Sequence, residues 1–134
     1  MNKVIYVLLL IGGLAACRQA PPLHKQFAAY EEQERLLEQE YNGMCVGYDT
    51  IADMQRKAER SAVLSQKFRE VEEFRLAGIR KFAGTEMALQ IIHRNLFFYE
   101  HDYKSFARVI EALGENIPES GMKTAIFEAY ERLK

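Results

Sequence analysis

The residues best suited to chemistry in this 134-residue chain are two cysteines, Cys17 and Cys45, and three histidines, His24, His93 and His101. A nucleophilic thiol needs a neighbouring base or a local cause for a lowered pKa, and nothing beside Cys45 supplies either. Glu100-His101-Asp102 places three metal-capable side chains in a row. Adjacent residues at a helix end point in different directions, so the three do not close on one ion; Asp102 reads as a helix cap and His101 as a turn residue. The chain holds no HExxH, no CxxC pair, no glycine-rich phosphate loop and no GxSxG elbow. Gly43-Met44-Cys45-Val46-Gly47 has GxxxG spacing, but it lies outside any long apolar run. The sequence therefore reads as a non-enzyme with no metal site. Cys17 stands apart, because it directly follows the small residues of Leu14-Ala15-Ala16 behind an apolar stretch.

That stretch sets where the domain should work. Lys3, the apolar run Val4 to Ile11, Gly12-Gly13 and Leu14-Ala15-Ala16-Cys17 together resemble a bacterial lipoprotein signal peptide ending in a lipobox. The run is too short to span a bilayer, which takes about 20 apolar residues. The resemblance implies removal of residues 1–16 and attachment of a diacylglycerol and a further acyl chain, such as palmitate, at Cys17. No other cofactor is expected. Two acyl chains already give stable anchoring, at about 0.8 kcal/mol per buried methylene. Arg18 follows the cysteine, in place of the aspartate that retains enteric lipoproteins in the inner membrane. The expected location is the outer membrane, facing the periplasm.

Residues 17–22 then form the lipidated cysteine and a short tether, stiffened by Pro21-Pro22, and residues 23–134 form one domain. Of the 18 basic and 19 acidic residues, only Lys3 falls within residues 1–16. A slightly negative chain lacks the clustered Lys and Arg of a nucleic-acid binder, so no nucleic-acid partner is expected. With Cys17 lipidated, Cys45 is left without an intramolecular disulfide partner. It is either a small buried apolar residue or a site of intermolecular pairing.

Apolar residues recur three and four apart from Leu23 onward, and no stretch has strand-like alternation. The fold class is all-α, a small bundle of five to six helices. A first helix is expected over 24–41, with Leu23, Phe27, Tyr30, Leu37 and Tyr41 on one stripe and Asn42-Gly43 as its stop. Thr50-Ile51-Ala52-Asp53 resembles a capping box for a second helix, which either pauses near Ser61 or continues to Gly84. Thr85 caps a helix carrying Met87, Ala88, Ile91, Ile92 and Leu96. Asp102 caps another that ends at Gly114, and a last helix follows Ile117-Pro118.

Charge is uneven. Five glutamates, Glu31, Glu32, Glu34, Glu38 and Glu40, lie within ten residues, while Met54 to Lys81 holds eight basic residues against four glutamates. These are either complementary solvated faces or one face that steers a charged partner.

Phe97-Phe98-Tyr99 cannot turn all three rings into one core, because successive helical residues diverge by about 100°. At least one should lie between bundle and solvent, covered by a loop or the tether or else forming a partner groove. Phe127 sits off the apolar stripe Met122, Ala125, Ile126, Ala129, Tyr130 and Leu133 of the last helix. Phe97, Phe98, Tyr99 and Phe127 are the partner-binding candidates. Leu96-Phe97-Phe98-Tyr99-Glu100-His101 and Ala129-Tyr130-Glu131-Arg132-Leu133 resemble segments of secretion-system pilotins, lipoproteins of similar length with helical C-terminal domains. That resemblance implies a protein partner, a secretin or another envelope-assembly subunit. The competing expectation is an immunity, exclusion or inhibitor lipoprotein that blocks an incoming or periplasmic protein through the Glu31 to Glu40 face.

Overall fold

Two long helices carry the domain. The computed structural model describes residues 20–134; the segment expected to be a lipobox, Cys17 included, lies outside the described residues. Among the described residues there are six α-helices and no strand: α1 (Leu23–Cys45), α2 (Met54–Lys81), α3 (Glu86–Arg94), α4 (Leu96–Glu100), α5 (Tyr103–Leu113) and α6 (Gly121–Arg132). The all-α bundle expected from the apolar periodicity is the architecture found.

Local capping decides most of the boundaries. Thr85 and Asp102 cap α3 and α5 as expected, their side-chain oxygens accepting from the backbone N–H of Met87 and Ser105. Gly114, with φ near 71°, is the C-cap of α5, and Gly84, with φ near 84°, turns the chain two residues past Phe82, the C-cap of α2. Ser120 caps α6 by accepting from the Lys123 N–H.

Two boundaries differ from the expectation. First, α1 runs through Asn42-Gly43 to Cys45, and the chain turns only at Gly47, whose φ is 79°. The Arg60 guanidinium donates to the Met44 carbonyl at 2.8 Å, satisfying a last-turn acceptor from the neighbouring helix. Second, the cap of α2 is Asp53, which accepts from Arg56 N–H at 2.7 Å, and not Thr50. The Thr50 hydroxyl instead donates to Gly47 C=O at 2.7 Å and closes a 3₁₀ turn over Tyr48–Thr50. From Asp53 the helix passes Ser61 unbroken. Further on, Asn95 splits what reads as one helix into α3 and α4, its side-chain amide donating back to Ile91 C=O at 2.8 Å.

The helices α1 and α2 form an antiparallel hairpin, and α3 to α6 pack on one end of it. Phe27 and Tyr30 of α1, Leu76 and Ile79 of α2 and Phe82 just after it meet Ala88, Leu89, Ile91, Ile92, Tyr99, Phe106, Val109, Leu113, Ile126 and Ala129. Burial of each large apolar side chain there contributes about 1.5–3 kcal/mol. The hairpin's share of this core comes from the start of α1 and the end of α2. Between Leu36 and Val63 no residue is buried, and Leu64 is the first beyond them. The far half of the hairpin therefore stands as a two-helix arm without a second layer.

Candidate partner-binding surfaces

The aromatic run Phe97-Phe98-Tyr99 resolves into three environments, as divergence around a helix requires. Phe97 on α4 is 78% exposed, its ring 4.5 Å from that of His101, and its carbonyl lies 2.7 Å from His101 Nδ1. Phe98 is half-buried, edge-on to Phe68 of α2 at 5.1 Å. Tyr99 is 2% exposed and packs on Phe106 inside the core. It is thus corrected from a partner-binding candidate to a core residue, since its ring is closed to any approaching surface.

Phe127 on α6 is half-buried and borders an open, largely apolar groove of about 590 Å³ with Thr124, Glu128, Glu131 and Arg132. Arg132 Nη2 reaches Glu100 Oε1 at 3.1 Å and ties the end of α6 to α4. Because Glu100 is one turn beyond Phe97, this bridge joins the two helices that carry the exposed ring and the groove.

The sequence reading missed the arm. On its inner side, towards the α4–α5 turn, a cleft of about 690 Å³ is lined by Tyr41, Cys45, Tyr48, Ser61, Leu64, Ser65 and Phe68. Its charged rim is Asp49, Glu72, Asp102 and Arg69. The half-buried Cys45 thiol lies here, and burial together with a hydrogen bond to that thiol pushes the Tyr41 hydroxyl pKa up. On the arm's other side a shallower groove of about 480 Å³ runs between Val46, Ile51 and Val63 with Arg56, Glu59 and Arg60. The available signal was Ser61 and Ser65, polar and small on the same helix flank as Leu64 and Phe68.

The acidic run is not a free acidic face. Arg94 bridges Glu31 and Glu34 at 2.7 Å each, Arg75 reaches Glu34 and Glu38, and Lys67 meets Glu40 at 2.7 Å. Glu32 pairs with Arg35 on its own helix. Glu34 is 3% exposed, and its carboxylate also accepts from the Tyr30 hydroxyl at 3.2 Å and the Asn95 amide at 3.3 Å. Arg75 and Lys67 of the basic segment thus complement part of the acidic run, Arg94 holds another part, and the half-buried Glu31 stays at the surface with the exposed Glu32 and Glu40.

Burial raises the pKa of two tyrosines in this region. Tyr99 is pushed up to about 12, and Tyr30 is pushed up more strongly, by burial first and then by Glu34. A raised phenol pKa contributes stability that is complete below the unfolded value, near 10, and is lost as pH climbs through the folded value. Resistance to urea should therefore hold up to about pH 10 and fall steeply towards pH 12, tracked by tyrosinate absorbance at 295 nm. A midpoint that is flat across this interval would contradict the burial assigned to these hydroxyls.

No protein-family model, curated protein sequence or solved structure matches this chain. Among the described residues no helix is long and apolar enough to cross a membrane, and no group of three or more His, Cys, Asp or Glu side chains is placed to hold a metal ion.

Proposed function

We propose that this chain is a lipid-anchored, non-enzymatic protein of the outer membrane, facing the periplasm, whose helical domain binds another protein. The partner named by the pilotin resemblance is a secretin or another envelope-assembly subunit. The observation that carries the reading is Phe97, a phenylalanine 78% exposed on a helix tied by the Glu100–Arg132 bridge to the apolar Phe127 groove. An exposed large ring on a helix bridged to one that carries an apolar groove is a suitable anchor for an apolar partner helix. Lipid attachment at Cys17 would raise the effective concentration of this surface at the membrane and carry a bound subunit there.

The test is crosslinking in intact cells, followed by identification of what co-purifies from detergent-solubilised membranes, with the Cys17→Ala and Phe97→Ser variants alongside. Recovery of an envelope subunit, mislocalised with Cys17→Ala and at least tenfold depleted with Phe97→Ser, is the expected result. Phe97→Ser should leave unfolding free energy unchanged to within about 0.5 kcal/mol, as for other surface substitutions. Recovery of a toxin-like or foreign protein alone would transfer the reading to the inhibitor class. Absence of any partner would leave a structural lipoprotein.

A further inference from the structure

The arm has two unpartnered flanks, and they complement one another. Ser61, Leu64, Ser65 and Phe68 face the cleft, whereas Arg56, Glu59, Arg60 and Val63 face the groove. At 100° per residue the centres of the two sets lie about 140° apart around α2. The cleft rim carries three carboxylates, Asp49, Glu72 and Asp102, against one guanidinium, Arg69. The groove carries two guanidinium groups, Arg56 and Arg60, against one carboxylate, Glu59. Asp49, Arg56 and Arg69 make no ion pair among the described residues. The groove flank is also apolar where a monomer would gain nothing: Val46 is 78% exposed and Val63 49%.

We infer that the occupant of the cleft is a second copy of this chain, which inserts the groove flank of its own arm, Val46, Val63, Arg56 and Arg60, against Tyr41, Leu64, Phe68 and the acidic rim. The register follows from the positions of the charges. Asp49 lies in the turn at the tip and Arg56 in the first turn of α2, so the two stand at nearly the same height on the arm. Pairing Asp49 of one copy with Arg56 of the next is met when the arms stand parallel and side by side. All the α1 N-termini then lie at one end of the assembly, as chains tethered to a single membrane would require. Two different flanks meet, so the contact is head-to-tail and extends to a ring or a row beyond the dimer. The same contact gives the arm the second helical layer that α3 to α6 supply only at its base. Neither Phe97 nor Phe127 takes part, so self-association and partner capture use separate surfaces.

The experiment is the mass distribution of the full-length lipidated protein in detergent, by light scattering coupled to chromatography, for Asp49→Arg, for Arg56→Glu and for an equimolar mixture of the two. Both positions are exposed, and an unchanged thermal midpoint would verify that each variant folds. Each variant alone sets like charges against each other at the junction and should weaken association at least tenfold. The mixture restores an opposite-charge pair at every junction, as does the double variant carrying both changes in one chain, and each should recover the wild-type mass. A wild-type protein that stays monomeric to about 100 µM would overturn the inference. So would an oligomer indifferent to both substitutions, or variants that fail to complement. In either case the crosslinking result at Phe97 would stand or fall independently.

Discussion

Glu34→Ala is expected to cost about 3 kcal/mol of unfolding free energy, because it removes the buried carboxylate of a charge network and leaves Arg75 with Glu38 alone and Arg94 with Glu31 alone. Glu34 and Arg75 are both buried, with Arg75 Nε 3.2 Å from Glu34 Oε2, and Arg94, Tyr30 and Asn95 converge on the same carboxylate. Deleting the carboxylate costs more than the pair itself is worth, since the buried Arg75 guanidinium keeps one carboxylate in place of two and the Tyr30 hydroxyl loses its acceptor. Against a total stability of about 5–15 kcal/mol for a domain of this size, that loss brings the fold close to its limit. Urea titration followed by far-ultraviolet circular dichroism measures it, and a loss below about 1 kcal/mol would mean that Glu38 and Glu31, already paired with Arg75 and Arg94, suffice for the two guanidinium groups. Adding Arg75→Leu to Glu34→Ala should recover part of the stability, as the buried cation left short of one of its two carboxylates is then removed. Recovery would identify the desolvated cation, and not the lost side-chain packing, as the origin of the cost.

This network also marks how far the sequence was legible. Glu34 occupies the stripe position between Tyr30 and Leu37, and Arg75 lies four residues from both Val71 and Ile79. Each is a charge where helical periodicity calls for an apolar residue. Read within its own helix, each passes for part of a solvated face; only antiparallel pairing of α1 with α2 brings the two opposite one another. The signals that could be read correctly are those satisfied within a few residues: the caps at Thr85 and Asp102 and the glycine stops at Gly84 and Gly114. Where a partner 16 residues away decides the outcome, as Arg60 does at the end of α1, local rules placed the boundary too early.

The aromatic surface was legible to the same extent. Divergence around one helix turn requires one ring of Phe97-Phe98-Tyr99 to face outward, but which ring does so depends on where α4 is docked. The break at Asn95 sets that docking, turning Tyr99 inward and leaving Phe97 out. The arm escaped notice for the opposite reason. Its stripe of Tyr41, Leu64 and Phe68 looks like core, and nothing local reveals that α3 to α6 stop short of covering it.

Identical glycine substitutions should have opposite signs in the two long helices. Gly43→Ala in α1 meets open space, and gaining a methyl group in a helix interior is expected to stabilise by up to about 1 kcal/mol. Gly78→Ala in α2 gains the same propensity but would place its Cβ 2.2 Å from Tyr30 Cε2, 2.8 Å from Cζ and 2.9 Å from Cδ2. The Tyr30 ring has no vacant direction in which to retreat. It stacks on Phe74 at 4.9 Å, lies edge-on to Phe82 at 5.9 Å and is held at its hydroxyl by Glu34. Relief therefore requires the two helices to separate, and the net effect should be a loss of about 3 kcal/mol, at the upper end for overpacked cores. Thermal or urea unfolding of the two variants makes the comparison directly, and equal effects would contradict the close approach. Because the strain belongs to the pair, Tyr30→Leu should cost markedly less in the Gly78→Ala background than in the wild type, an interaction energy that a double-mutant cycle isolates.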